Sequence, residues 1–296
     1  MNLSEQLYRK LEEASNEWAE WQKKVIILDE GRKAIFSACV IKHKKLVKTM
    51  SEAEHEARID QDYKKIVEQF AEAEKELTKA RYHYNNIDRY VIPGINESSI
   101  KSSDQIISTT SSTTQVLALM VKMLDESFGL NRAMMTTVHA YTADPPLADA
   151  AGVDLRRSRS AVENIIPNTT LAPSIVENLM PQFSGKLDGI AFNVPVPNGS
   201  CVDLTTELEN TPSVDEANDA IKNFSKGSLE GIVGYTEDPI VSSDVIGREE
   251  TMVFDQKATM ITNDELLKTL CWYDNGWGFA SRILDVVDAY ATLEDK

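Results

Sequence analysis

The sequence predicts a chain in two parts: a helical hairpin or coiled coil over residues 1–90, followed by an α+β domain over residues 91–296. The division rests on a change in composition near its boundary. Residues 1–92 contain a single glycine, Gly31, and no proline, whereas glycine, proline, serine and threonine become frequent from Pro93 onward. Because glycine and proline interrupt helices, their near absence over this length predicts long helices.

Two apolar stripes run through the helical part. The first covers residues 7–28 and the second residues 59–87, where apolar side chains recur at alternating spacings of four and three. A repeat of ~3.5 residues is typical of a coiled-coil seam, and Ser51 with Glu54 forms a capping box at the start of the second helix. The two stripes either bury each other in an antiparallel hairpin or offer a docking face for a partner helix.

Short β-rich runs alternate with amphipathic segments in the second part, which predicts an α+β domain built on a largely antiparallel sheet. The predicted strands are Ala133–Val138, Gly189–Val194, Cys201–Leu204, Ile240–Val241, Thr251–Phe254 and Thr259–Thr262. The predicted helices are Thr114–Phe128, Ala172–Met180, Val214–Phe224, Asp264–Leu270 and Phe279–Leu293.

Composition and charge exclude several functional classes. No apolar run approaches the ~20 residues that cross a bilayer, and the first residues are polar, so we expect neither a membrane partner nor a secretory signal. Three cysteines without motif spacing favour a reducing cytoplasm over a disulfide framework. Residues 1–90 carry 17 basic and 17 acidic side chains, so the whole net charge of −16 lies in residues 91–296. Such an acidic domain repels phosphate backbones, and we expect no nucleic-acid partner.

Several long motifs carry a family resemblance. They are Ser-Ser-Thr-Thr-Gln at 111–115, Thr-Thr-Val-His-Ala-Tyr-Thr at 136–142, Asp-Leu-Arg-Arg-Ser-Arg at 154–159 and Trp-Tyr-Asp-Asn-Gly-Trp-Gly at 272–278. From about Val91 to the end, the chain thereby resembles the glyceraldehyde-3-phosphate dehydrogenase family. The resemblance implies the catalytic domain and C-terminal helix of that family.

The resemblance also implies site residues. In the family, a cysteine attacks the substrate aldehyde, a histidine acts as its base, a hydride passes to NAD, and phosphate releases the acyl group. Ser112 stands at the position of that cysteine, His139 matches the base, and Asn275 matches the residue that holds the nicotinamide carboxamide. Contacts to substrate or phosphate are implied for Ser111, Thr113, Thr142, Asp144, Arg159 and Thr170. No metal ligand is implied.

Taken without the family, the same residues have ordinary structural interpretations. His139 follows a β-rich run and fits a buried histidine with its hydrogen bonds satisfied. Thr142 and Asp144 precede two prolines and fit a turn. Thr170 fits a cap for the helix that begins near Ala172.

Four departures from the family pattern count against catalysis. Ser112 replaces the nucleophilic cysteine, and a hydroxyl is far less acidic than a thiol. Asn193 replaces an arginine near the substrate phosphate, which removes a fixed positive charge. The other two changes place Leu171 and Ser174 at a glycine and a lysine, and Gln115 and Val116 at an asparagine and a second cysteine.

The N-terminal part departs further. The family begins with a dinucleotide-binding domain, which needs alternating strands and helices and a glycine-rich turn. Residues 1–90 offer neither, so that domain is predicted to be largely missing and we expect no cofactor. Only residues 90–96 and 105–108 resemble its last strands, and we expect them to pair with each other or with the catalytic domain. The N-terminal hairpin is expected to cover the apolar face of the C-terminal helix.

These observations favour a pseudoenzyme derived from NAD-dependent glyceraldehyde-3-phosphate dehydrogenase, acting as a non-catalytic interaction or assembly protein in the cytoplasm. Its expected partners are further copies of itself, intact dehydrogenase subunits, or a helix at the N-terminal seam. Two catalytic alternatives remain: a residual oxidoreductase on phosphorylated aldehydes, and a hydrolase that uses Ser112 as nucleophile and His139 as base. A composite chain without a selected function is a further alternative.

Overall fold

The computed structural model describes residues 61, 64, 65, 67–69, 87–142, 146–149, 155–263 and 265–294. The chain divides into two compact units, Met1–Asp88 and Arg89–Lys296. Nearly all of the described residues belong to the second unit. The predicted hairpin and its seam therefore lie almost wholly outside the described residues, and the candidate Asp144 does too.

A main sheet with helices and a separate pair of short strands make up the second unit. The helices are α1 (Ser112–Phe128), α2 (Ala172–Leu179), α3 (Val214–Ser225) and α4 (Trp277–Glu294). The strands are β1 (Arg89–Tyr90), β2 (Ile107–Ser108), β3 (Leu130–Ala140), β4 (Ile166–Asn168), β5 (Leu187–Val194), β6 (Ser200–Leu208), β7 (Val233–Thr236), β8 (Met252–Asp255), β9 (Met260–Thr262) and β10 (Leu266–Tyr273). Single 3-10 turns occur at Glu97–Ser99, Pro181–Phe183, Ser242–Val245 and Gln256–Ala258.

The strand order of the main sheet is β4-β5-β3-β6-β10-β8-β7, and β9 pairs with β10. Among the described strands of this sheet, β3–β5 and β7–β8 are parallel and the other neighbours are antiparallel. The α+β class predicted from the sequence is therefore confirmed.

Helix α1 forms the centre of the core. It begins after Ser111, whose hydroxyl accepts a hydrogen bond from the backbone N–H of Thr114, and it ends at Gly129, where φ is 72°. Its residues between 113 and 121 are all buried, because the sheet packs on one side and α2 and α3 on others. This burial fixes the start of α1 against the sheet.

The secondary structure predicted from the sequence is wrong at two places. The sequence predicts a helix over Asp264–Leu270, but residues 266–270 of this segment belong to strand β10. Its side chains alternate between buried and half-exposed, as in Leu267 and Lys268, because β10 lies between β6 and β8; tertiary pairing outweighs local propensity here. The predicted strand Ile240–Val241 is a loop that leads into a 3-10 turn. Strands β4 and β7 are not predicted by the sequence.

The segment before α1 supplies part of the cover for α4. Strands β1 and β2 pair with each other in parallel, which is one of the two arrangements that the sequence allows. Val91 and Ile100 bury Val286 of α4, and the Tyr290 hydroxyl donates to the carbonyl of Ser102 at 3.1 Å. This face of α4 is thus covered by the segment that follows the N-terminal part, whereas the hairpin expected to cover it lies outside the described residues.

Candidate active site

The topology brings several of the predicted site residues to one edge of the sheet. His139 and Asn193 are register partners at the carboxyl ends of β3 and β5. Ser200 opens β6 opposite Tyr273, which closes β10. Asn275 follows Tyr273 by two residues. This edge is the candidate active site, and the start of α1 is hydrogen-bonded to it.

Ser112 occupies the first turn of α1, where the backbone N–H groups of a helix have no partner within the helix. It is half-buried, and Ser111 before it is exposed and caps the helix. The hydroxyl of Ser112 forms no hydrogen bond with any residue that the structure describes. The helix start favours a negative charge at this position, but a serine hydroxyl stays protonated at neutral pH unless a base removes its proton.

His139 has one ring nitrogen committed and the other available. Its Nδ1 lies 2.6 Å from the carbonyl oxygen of Ala140. Because a carbonyl can only accept, Nδ1 carries the proton and Nε2 keeps its lone pair. Burial lowers the pKa of His139, and the contact with Ala140 only partly opposes this. The imidazole is therefore neutral at neutral pH, and Nε2 is the atom that can act as a base.

A buried tyrosine joins the start of α1 to the strand of His139. The hydroxyl of Tyr273 lies 2.8 Å from Thr113 Oγ1 and 3.0 Å from Thr137 Oγ1. Its ring meets the ring of His139 edge-on, with centroids 6.0 Å apart. The Thr113 hydroxyl, which the resemblance assigns to phosphate, is directed to Tyr273 instead, so only its backbone N–H remains for a ligand. Sequence reasoning missed Tyr273, although the Trp-Tyr-Asp-Asn motif contains it.

Two hydrogen bonds through Ser200 connect Asn275 to β3. The backbone N–H of Ala140 donates to Ser200 Oγ at 3.0 Å, and Ser200 donates to Asn275 Oδ1 at 3.1 Å. The carboxylate of Asp274 accepts backbone hydrogen bonds from Gly276 and Trp277, which shapes the turn that carries Asn275. With Oδ1 engaged, the Asn275 amide nitrogen is the donor that can meet a ligand carbonyl.

The remaining predicted residues lie elsewhere or are already engaged. Thr142 is exposed just after β3. Arg159 pairs with Asp149 at 3.1 Å, and both side chains are exposed. Thr170 accepts a hydrogen bond from the backbone of Ala172 at 3.2 Å, just before α2, but the N-cap position of that helix is Leu171 and carries no side-chain cap. Arg159 and Thr170 do not join the cluster at the sheet edge through the contacts described for them.

Neutral amides occupy the place of the family's arginine. The Asn193 side chain is buried; its amide donates to the carbonyl of Ala140 at 3.5 Å. Its Oδ1 accepts from Asn168 Nδ2 at 3.4 Å. The position beside His139 therefore carries no charge. Within the part of the chain that the structure describes, no group of three or more His, Cys, Asp or Glu side chains could hold a metal ion.

Comparison with known proteins gives one consistent result. Residues 111–275 match the family model for the glyceraldehyde 3-phosphate dehydrogenase C-terminal domain. Glyceraldehyde-3-phosphate dehydrogenase 2 of Streptomyces avermitilis is 44% identical over 200 residues, covering 67% of this chain and 60% of the relative. The Mycobacterium tuberculosis enzyme is also 44% identical over 200 residues, with 68% and 59% coverage. The Priestia megaterium enzyme is 41% identical over 205 residues, with 69% and 61% coverage. The chain spans about three fifths of the length of these curated relatives.

The relatives correct the expectation that the chain takes no cofactor. They are dehydrogenases, and the hydride acceptor of the family that the sequence resembles is NAD. The described residues fit one end of that cofactor, since Ser200 holds Asn275 with its amide nitrogen available for the nicotinamide carboxamide. When bound, NAD would supply the hydride acceptor at this edge of the sheet.

Proposed function

Because the chain belongs to the glyceraldehyde-3-phosphate dehydrogenase family through its C-terminal catalytic domain, we propose that it is a pseudoenzyme that assembles with copies of its own domain. The observation that carries this proposal is Ser112 at the nucleophile position, without a hydrogen bond to His139 or to any other described residue. A hydroxyl without such a base in contact is a poor nucleophile at neutral pH. Thiol-dependent aldehyde oxidation therefore has no attacking atom here.

The neutral amide of Asn193 supports the same proposal. A phosphorylated aldehyde needs a cation to offset its negative charge, and arginine does this with a planar pair of donors. Instead, the amide nitrogen of Asn193 donates to the Ala140 carbonyl, and its Oδ1 accepts from Asn168. We expect weak binding of phosphorylated aldehydes as a result.

The open face of the main sheet is the surface through which we propose assembly. Along β3, Met135 is buried towards α1, whereas the adjacent Met134 points to the other face and is 56% exposed. Three more large apolar side chains are exposed on strands of this sheet: Ile190 at 38%, Leu266 at 42% and Met260 at 51%. An apolar group of this kind on a sheet face is typical of an interaction site.

Charges of both signs border these apolar residues. Arg132 pairs with Glu207, Lys268 pairs with Asp203 at 2.7 Å, and Asp188 is exposed. A depression of about 580 Å³ lies among Arg132, Met134, Lys186, Asp188, Glu207 and Leu266. A surface that carries both signs can be complementary to itself, which is what a two-fold dimer requires. A second copy of this domain is therefore the partner we propose first, and an intact dehydrogenase subunit is a variant of the same contact.

The location and the helical partner remain proposals as well. Cys201 and Cys271 are both free and buried, which is compatible with the reducing cytoplasm that we propose. None of the helices in the described part of the chain has the length and apolar character of a membrane span. A partner helix at the seam of residues 1–90 is a separate proposal that concerns residues outside the description.

Sedimentation of the full chain tests the assembly proposal. We expect the protein to form dimers or larger species, and a Met134→Lys/Ile190→Lys double variant to sediment as a monomer with its fold intact. Leu284→Lys is the matched control, because Leu284 is 65% exposed on α4 and lies off the sheet face. A monomer at all concentrations, with no co-sedimentation with an intact dehydrogenase, would contradict the proposal.

The tautomer of His139 favours a second candidate, a hydrolase with Ser112 as nucleophile. A neutral imidazole with a free Nε2 is the base that a serine hydroxyl requires, provided that a substrate draws the two side chains into contact. Burst release of nitrophenol from p-nitrophenyl acetate, lost in Ser112→Ala, would support this candidate. Ser174→Ala serves as the control, since Ser174 is exposed and bonds only its own helix start. Equal release by wild type and Ser112→Ala would reject it.

A further inference from the structure

The hydrogen bonds of the Tyr273 hydroxyl with Thr113 and Thr137 have only one possible direction. Thr137 Oγ1 lies 3.1 Å from the carbonyl oxygen of Cys201, and a carbonyl cannot donate, so Thr137 donates there. Its single proton is then used, so the Tyr273 hydroxyl must donate to Thr137. Thr113 in turn must donate to Tyr273. The result is an ordered chain of three hydrogen bonds that ends on the β6 backbone.

The three side chains in this row of hydrogen bonds come from three different elements. Thr113 belongs to the first turn of α1 and directly follows Ser112, Thr137 is on β3 two residues before His139, and Tyr273 ends β10. All members are fully or almost fully buried, where a hydrogen bond is electrostatically stronger than in water. Burial raises the pKa of Tyr273 to about 12, so its hydroxyl stays protonated and keeps its donor. This row of hydrogen bonds therefore connects the start of α1 to β3.

The same side chain touches the base directly. The Tyr273 and His139 rings meet at 70° with centroids 6.0 Å apart, which is an edge-to-face contact of the favourable kind. On its other side, the hydroxyl reaches the residue adjacent to Ser112. Tyr273 thus contacts the base and, on the nucleophile side, the residue that directly follows Ser112.

We propose that Tyr273 is a positioning residue, whose hydroxyl sets the distance between residue 112 and His139. The hydrogen bonds among Thr113, Tyr273 and Thr137 then hold residue 112 in position, whichever side chain residue 112 carries. A thiol placed at position 112 would be activated by His139 and by the helix start, although the natural chain carries a hydroxyl there. The position of residue 112 relative to His139 does not depend on whether the protein assembles as proposed above.

The test uses the full chain with Ser112→Cys and follows alkylation of the new thiol by iodoacetamide as a function of pH. The thiolate attacks the carbon that bears iodine, and iodide leaves, so the rate follows the thiolate fraction. We expect an apparent pKa clearly below the ~8.5 of a free thiol. An ordinary thiol pKa in Ser112→Cys would overturn the proposal.

Adding Tyr273→Phe to the Ser112→Cys protein is expected to raise that apparent pKa by about one unit, which lowers the thiolate fraction near neutral pH roughly tenfold. Tyr235→Phe is the matched control, because the Tyr235 hydroxyl also has a side-chain partner, Gln256 at 2.7 Å, but lies on β7 away from the site. An unchanged pH profile in the Tyr273→Phe protein, or an equal shift in the Tyr235→Phe protein, would reject a positioning role.

A double-variant cycle asks whether Tyr273 acts through the imidazole. In the Ser112→Cys/His139→Asn background, Tyr273→Phe should add no further pKa shift, because the group it positions is gone. An additional full shift there would show that Tyr273 acts without His139 and would overturn the proposal. If Tyr273→Phe does not fold, Thr113→Val cuts the tie to α1 alone and is expected to shift the profile in the same direction.

Discussion

His139 and Asn193 lie side by side at the carboxyl ends of parallel strands β3 and β5, as partners in the strand register. The base of the candidate pair therefore has a neutral neighbour in place of a cation. Asn193 is buried and bonded to the Ala140 carbonyl, the same carbonyl that fixes the His139 tautomer. Neutral groups therefore lie beside His139 at this edge of the sheet, and a neutral carbonyl orients its ring.

Restoring a cation at Asn193 should increase the affinity for phosphate. We expect Asn193→Arg to bind inorganic phosphate about tenfold more tightly, because a guanidinium offers paired, charged donors to an anion. Asn193→Gln is the neutral control of increased length. Titration calorimetry with phosphate measures the difference. Equal affinities of the arginine and glutamine variants would show that position 193 does not face the anion.

The pKa of His139 should lie below the ordinary histidine value of ~6.5, because burial disfavours the charged ring. The folded state then binds fewer protons than the unfolded state, so the free energy of unfolding falls as pH drops below ~6.5 and through the lowered folded value. In His139→Asn this part of the pH dependence should disappear. Denaturant unfolding of both proteins between neutral and mildly acidic pH measures it, and identical slopes would contradict the prediction.

Asp274 should stabilise the turn that carries Asn275. Burial raises the pKa of Asp274, but backbone N–H donors at Gly247, Trp277 and Gly276 outweigh it, and the net pKa is lowered. Its contribution to stability is therefore complete above the unfolded value of ~3.9 and is lost as pH falls through the folded value.

Asp274→Asn places an amide that cannot replace every accepted bond, and we expect a loss of about 2 kcal/mol at neutral pH. The matched control is Asp288→Asn, an exposed acid on α4. Chemical denaturation measures both. A loss in Asp274→Asn no larger than in the control would show that the carboxylate is replaceable by any polar group.

Gly199 should not tolerate a side chain. Its φ is +83°, and an added Cβ would lie 2.0 Å from the backbone oxygen of Ser242. Gly199→Ala is expected to lower the free energy of unfolding by about 3 kcal/mol or more, since both strain and a backbone clash contribute. Gly231→Ala separates the two effects, because φ is +76° there but no atom lies within 4 Å; we expect about 1 kcal/mol. Equal losses would remove the clash from the explanation.

The sequence predicts the elements whose period is clear and misses those that depend on distant partners. Helix α1 lies between a serine cap and a glycine, with every residue from 113 to 121 buried, so its bounds are predictable within two residues. Strand β10 is not, because Asp-Glu-Leu-Leu-Lys-Thr-Leu has helical spacing and only the neighbouring strands decide otherwise.

The candidate site shows the same limit. Ser112, His139 and Asn275 follow from linear motifs, since each motif contains its own functional residue. The role of Tyr273 does not, because its partners Thr113 and Thr137 are 160 and 136 residues away in sequence. Only the fold shows that Tyr273 contacts both His139 and Thr113, the residue next to Ser112.

Turnover by the purified full chain tests the central claim most directly: NAD reduction with glyceraldehyde-3-phosphate and phosphate, followed by absorbance beside Ser112→Ala and an intact dehydrogenase. We predict no turnover above the Ser112→Ala background. Steady NAD reduction by the natural chain that Ser112→Ala abolishes would contradict the claim, because it would show that the hydroxyl performs the work of the missing thiol.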